Sequence, residues 1–244
     1  EAISNISKTE GAVAQGQVII RRGDIITQEK YNMLKSLAEA RAQKATQFEL
    51  WLRYVGDALV IIAIAMIFMM YLYLYRRSIY EDNAMFLLVF LAMGIIIATS
   101  AIVYHIETIP AYIVPVAIAP IILTIIFDSR VGLMSTLTLA LLTGVIHSNS
   151  FQYVVATTTA CSLGLYTVRD IKDRSQFFFT TPGIVFLAYV VVITGFNLSS
   201  FNEWNELFND LTFAGINALF ILFTYPLILL FEKLFDITTD FTLL

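Results

Sequence analysis

His105, Glu107 and His147 are the side chains best suited to chemistry: two imidazoles and a carboxylate beside the ends of apolar runs. Brought together, they would suit a metal ion or an anionic ligand. The plainer reading makes them polar groups at helix ends, where water is within reach. Glu203, Glu206 and Asp210 accompany Trp204 in a pattern that suggests an amphipathic interfacial helix; a Trp at headgroup level needs no ligand. Thr157, Thr158, Thr159, Ser162 and Gly164 make one apolar run small and polar. Such residues let helices approach closely and hydrogen-bond across an interface; a substrate path is the sharper alternative. Asn217 is a lone amide in an apolar run, in need of a partner. Cys161 is the only cysteine, which excludes an intramolecular disulfide and a cysteine metal cluster.

The elements that must position these residues are set by composition. Hydrophobic residues make up 58%, charged residues 14%, and mean hydropathy is +0.77, so lipid must be the solvent for most of the chain. A net charge of −4 leaves no basic surface for nucleic acid. Crossing about 30 Å of hydrocarbon takes roughly 17–25 residues, and the sequence predicts about seven such runs: Val55–Tyr75, Ala84–His105, Ala111–Phe127, Val131–His147, Phe151–Val168, Gly183–Leu198 and Leu211–Phe235. The fold class expected is all-α, a polytopic bundle of about seven transmembrane helices. Pro115 and Pro120 in the third run and Pro226 in the seventh remove backbone donors and predict kinks. Asp57 alone among ionisable groups intrudes on a span, which argues against an ion-coupled transporter.

Loop charge predicts orientation. With the N-terminus outside, inner segments hold Arg76, Arg77, Arg130, Arg169, Lys172, Arg174 and Lys233, and the outer loops 105–110, 147–150 and 199–210 hold no Lys or Arg. Arg41, Lys44 and Arg53 before the first span oppose the trend, but long translocated segments partly escape the rule. An odd number of spans leaves the tail in the cytoplasm. The charged turns Asp128-Ser129-Arg130 and Arg169-Asp170 would then face a cytoplasmic domain or simply water. The chain opens at Glu1 with no signal peptide, which predicts a piece of a longer protein with an upstream anchor.

Residues 1–54 read as the C-terminal end of an extracellular domain. Gln17–Ile20 and Asp24–Ile26 flank Arg21-Arg22-Gly23 and predict a short β-hairpin. Thr27 is the expected N-cap, Glu29 the acid of the first turn, and Tyr31, Leu34, Leu37, Ala38 and Ala42 predict an amphipathic helix to about Thr46. Residues 55–235 form the transmembrane domain and 236–244 a cytoplasmic linker.

Two stretches carry a resemblance. Gly16-Gln17-Val18-Ile19-Ile20-Arg21-Arg22-Gly23-Asp24-Ile25-Ile26-Thr27, with Tyr31 and Leu34, resembles the end of a bacterial extracellular domain. The tail Phe231-Glu232-Lys233-Leu234-Phe235-Asp236-Ile237-Thr238-Thr239-Asp240-Phe241-Thr242-Leu243-Leu244 resembles the run that leads from a last span into an HD domain. Both are similar to the seven-transmembrane receptors with an intracellular HD hydrolase, the PgpH-type cyclic-di-AMP phosphodiesterases. Asp236 and Phe241 stand where that family suggests Gly and Leu.

The resemblance implies a bacterial inner-membrane receptor in which the bundle relays an extracellular ligand's signal to its own HD domain. Signal relay would run through Phe231, Phe235, Asp236, Thr239 and Asp240. That domain implies two metal ions, Mn or Fe, held by His and Asp and activating water against a phosphodiester. This chain has two histidines and no His-Asp dipeptide, so the expected centre lies elsewhere and no catalytic residue is expected here. A homodimer fits such a relay. A small-solute permease and a passive membrane anchor are the alternative functions.

Overall fold

The computed structural model describes residues 18–21, 23–44, 47–106, 108–169, 174–200 and 204–237. The chain divides into two units, Glu1–Ala58 and Leu59–Leu244.

In the first unit the chain turns at Gly23, whose φ of 97° favours glycine. Asp24 N–H donates to the Arg21 carbonyl at 3.0 Å. The expected strands do not form among the described residues. A lone two-stranded ribbon is marginal in water, and Ile25 and Ile26 are exposed with no sheet face to cover. Thr27 caps α1 (Gln28–Lys44) by accepting from Lys30 N–H at 3.4 Å, with Glu29 in the first turn. The Lys30 ammonium, 3.0 Å from Asp24, hydrogen-bonds its carboxylate and holds its pKa below the ordinary value.

The second unit is helical among its described residues. α2 (Gln47–Tyr75) enters from the first unit; α3 (Arg77–Glu81), α4 (Asn83–Tyr104), α5 (Ile118–Ile126), α6 (Ser129–Ile146), α7 (Phe151–Val168), α8 (Arg174–Ser200), α9 (Trp204–Phe220) and α10 (Thr224–Phe235) follow. Among the described residues, five stretches are long and apolar enough to cross a membrane: Trp51–Tyr75, Asn83–Tyr104, Ser129–Ile146, Phe178–Ser199 and Trp204–Phe235. The other two expected runs fold differently. α7 has 18 residues but carries the Thr157–Thr159 triplet and Gln152, and it packs against α5, α6 and α8 rather than relying on lipid.

The third run is broken, not kinked. A 3-10 turn at Ala111–Ile113 leads to Val114, held extended at ψ 116° as a residue before proline must be. Pro115 follows, and α5 starts only at Ile118. Nine residues rise about 14 Å, under half the hydrocarbon thickness. Pro120 is the third residue of α5, where its missing N–H deprives no helical carbonyl. A second interruption, the 3-10 turn Ile221–Phe223, separates α9 from α10 just before Pro226. Two boundaries also move. Trp204–Asp210 forms the opening of α9, not a separate loop helix, and α8, which holds the sixth expected run, begins at Arg174, not Gly183, and runs through Pro182.

α6 is the hub. It packs on α4, α5 and α7, and more than half of its residues are buried, so α6 is central to the second unit. Its hydroxyls turn back on their own helix: Ser135 and Thr136 donate to the Gly132 carbonyl at 2.8 and 3.0 Å, and Thr143 to Leu139 at 2.7 Å. That self-satisfaction lets a polar-looking helix sit in an apolar setting. Asp128 caps α6 through Arg130 and Val131 N–H at 2.8 and 3.0 Å, and also pairs with Arg76 beyond α2. The turns after α2 and before α6 therefore meet at one end of the bundle. α7 and α8 run antiparallel, joined by Thr167 to Thr181 at 2.8 Å near one end and Phe151 against Phe196 near the other.

Asp236 closes α10 in the left-handed region, φ 52°, with Ile237 N–H donating to the Glu232 carbonyl at 3.1 Å. This is the position that helices usually give to glycine. Asp236→Gly is expected to stabilise the helix end by about 0.5–1 kcal/mol and Asp236→Val to cost about 1–2 kcal/mol. Amide exchange over Lys233–Ile237 checks the order; faster exchange in the glycine variant would refute it.

Candidate functional site

At the end of the bundle away from the Arg76–Asp128 pair lies a cavity of about 320 Å³. Tyr104 reaches it from the end of α4, Tyr112 from the 3-10 turn, Gln152 and Tyr153 from the start of α7, and Asp210 from α9. His147, Ser148 and Ser150 come from the turn between α6 and α7. That turn is strained: Ser148 and Asn149 both hold φ near 60°, a region that costs non-glycine residues about 1 kcal/mol or more. Asn149 N–H donating to the Gly144 carbonyl at 2.9 Å fixes it.

The three residues singled out from the sequence part company. His147 stands at the cavity wall, with Nε2 3.1 Å from the buried Ser100 hydroxyl and its ring 5.9 Å from Tyr104 and 5.2 Å from Tyr153. His105 is exposed at the end of α4 and does not line the cavity; its ring neighbour is Tyr104, at 5.9 Å. Glu107 lies outside the described residues. Among those described, no three His, Cys, Asp or Glu side chains converge to hold a metal. With two histidines in 244 residues, this chain does not fit a dinuclear HD-type centre.

Asp210 faces two cavities. The second, also about 320 Å³, is lined by Thr108, Ile109, Pro110, Glu206 and Asn209. The ion pairs among the described residues are Lys30–Asp24, Arg76–Asp128 and Arg77–Glu81, so Asp210 is half-buried without a cation. Behind the first cavity, Tyr112 packs edge-on against the buried Tyr189, with centroids 6.1 Å apart. Asn217, fully buried on α9, donates through Nδ2 to the carbonyls of Tyr112 and Val114 at 2.7 and 2.8 Å. The amide left open in the sequence thus finds its partners in the broken segment.

The cavity's tyrosines escaped sequence reading because they come from three separate segments. Their signal was an aromatic near the same end of each apolar run. At the opposite end Phe231 is buried and stacks on Phe235, with centroids 6.1 Å apart. Asp236 is the cap described above, and Thr239 and Asp240 lie outside the described residues.

These features define a polytopic helical membrane protein with a polar, aromatic vestibule at one end of its bundle. Residues 51–239 match the family described as 7TM receptor with intracellular HD hydrolase, and the chain belongs to that family. It is 26% identical over 240 residues to the cyclic-di-AMP phosphodiesterase PgpH of Listeria monocytogenes serotype 1/2a (strain 10403S), across 93% of this chain and 32% of that protein. The chain thus spans about a third of that relative's length. No solved structure matches it.

Proposed function

We propose that this chain is the transmembrane module of a bacterial HD-type cyclic-di-AMP phosphodiesterase, carrying an external signal to a hydrolase domain on the cytoplasmic side. The family match over residues 51–239, joined to a likeness to PgpH across 93% of the chain, is the observation that carries the reading. All seven apolar runs cross the membrane in this proposal, the third and fifth shielded from lipid by the helices around them. The Arg76–Asp128 pair supports the orientation, since it joins two turns at the end where the loop arginines gather. That end faces the cytoplasm, and the vestibule faces outward. Metal ions and catalysis belong to the HD domain.

The relay requires the ligand to favour one bundle arrangement over another. Phe231 and Phe235 tie the last helix to its exit, so a shift there is the output. Cyclic-di-AMP hydrolysis with manganese, measured on the full-length protein beside this segment, tests the proposal. Turnover by the full-length protein, none by the segment, and a several-fold change in basal rate for Phe235→Ala are expected. A full-length protein without turnover would sink the phosphodiesterase reading. Unchanged turnover in Phe235→Ala would favour a passive anchor.

A further inference from the structure

We propose that the vestibule at Asp210 binds a small organic cation, with its ammonium group against the Asp210 carboxylate and over the faces of the surrounding tyrosines. The inference rests on the cavity alone and holds whichever enzyme the bundle serves.

Four observations converge. Asp210 is half-buried, and no Lys or Arg pairs with it among the described residues. A carboxylate withdrawn from water calls for a compensating charge. The wall beside it is aromatic: Tyr104, 47% exposed, lines the cavity with Tyr112 and Tyr153, which are buried and packed on each other with centroids 5.7 Å apart, so Tyr104 offers the free ring face and the other two back it. Ring faces attract cations within about 6 Å, and quaternary ammonium groups are recognised by such cages. Neither cavity is lined by Lys or Arg, which disfavours an anion. Finally, about 320 Å³ lies at the small end of ligand sites, roughly 300–1,000 Å³, and suits a compact amine.

Two sources share this chemistry: a free amine, and the headgroup of an ethanolamine or choline phospholipid. Tetramethylammonium chloride is the probe, titrated by calorimetry into the protein in nanodiscs of phosphatidylglycerol, with sodium chloride at matched ionic strength as the blank. Saturable binding is expected. It should weaken about tenfold or more in Asp210→Asn and about three- to tenfold in Tyr104→Leu. Tyr104 is 47% exposed, so that variant carries the test if Asp210→Asn fails to fold. Loss of probe binding when phosphatidylethanolamine is added would identify the lipid headgroup as the occupant; persistence would identify a free amine. Absence of saturable binding in the phosphatidylglycerol nanodiscs, or equal affinity in the variants, would overturn the proposal. A protein without phosphodiesterase turnover that still binds the probe would separate the two readings.

Discussion

Gly132→Ala is expected to destabilise the bundle by about 2–4 kcal/mol, although alanine is the better helix former. Gly132 lies in the first turns of α6, at its crossing with α5. A Cβ built there overlaps the Thr124 hydroxyl and comes within 2.9 Å of the Pro120 carbonyl oxygen. The Thr124 hydroxyl cannot swing away freely, since it donates to that same carbonyl at 2.8 Å in a buried setting. The methyl must therefore break a buried hydrogen bond, worth about 1–3 kcal/mol when left unmade, or push two helix backbones apart. About 1 kcal/mol of helix propensity offsets part of this. Gly94→Ala is the matching control: nothing lies within 4 Å of its Cβ, so propensity alone acts and a gain of about 0.5–1 kcal/mol is expected. Thr124→Ala added to Gly132→Ala should recover part of the loss, because it removes one of the two obstructions. Unfolding in detergent, followed by the fluorescence of Trp51 and Trp204, gives the numbers. Equal effects at Gly132 and Gly94 would mean that α5 and α6 are not in this contact.

Most elements were legible because they depend on local pattern. Thr27 and the apolar runs announce helix starts through nearest-neighbour chemistry, and the structure places helices in every one of the runs. The resemblance at the two ends led to the family that residues 51–239 match. Where reading from sequence failed, the deciding group was remote. Whether Pro115 bends a helix or breaks it depends on who serves the freed carbonyls, and the server is Asn217, about a hundred residues on. Whether His105 or His147 joins a site depends on helix phase, about 100° per residue, and on which helices pack alongside. The cavity draws on residues from Tyr104 to Asp210, so no single window contains it. The left-handed cap at Asp236 lay between these cases: the resemblance marked the position as unusual, and φ 52° supplies the reason.

The same remote donor sets the second large effect. Asn217→Leu, close in volume and more apolar, is expected to cost about 2–4 kcal/mol. In the 3-10 turn Ala111–Ile113 the natural donor to the Tyr112 carbonyl would be the third residue on, which is Pro115 and has no N–H. Asn217 Nδ2 takes that place at 2.7 Å and also serves Val114, whose carbonyl has a second donor in Val116 N–H at 2.8 Å. Tyr112 therefore loses its partner outright, while Val114 keeps one. Irregular backbone inside a membrane protein persists only where protein groups satisfy it, so the loss falls on the segment that floors the vestibule. Asn217→Asp should be worse than leucine, because it sets carboxyl oxygens against carbonyl oxygens and gives at most one donor, and that only when protonated. Detergent unfolding should rank the three Asn, Leu, Asp in falling stability, and tetramethylammonium affinity should fall in step as Tyr112 shifts. Leucine within about 0.5 kcal/mol of the native residue, the usual spread for substitutions that touch no special feature, would mean that water reaches these carbonyls. The broken segment would then open to the vestibule, and its floor would be wet.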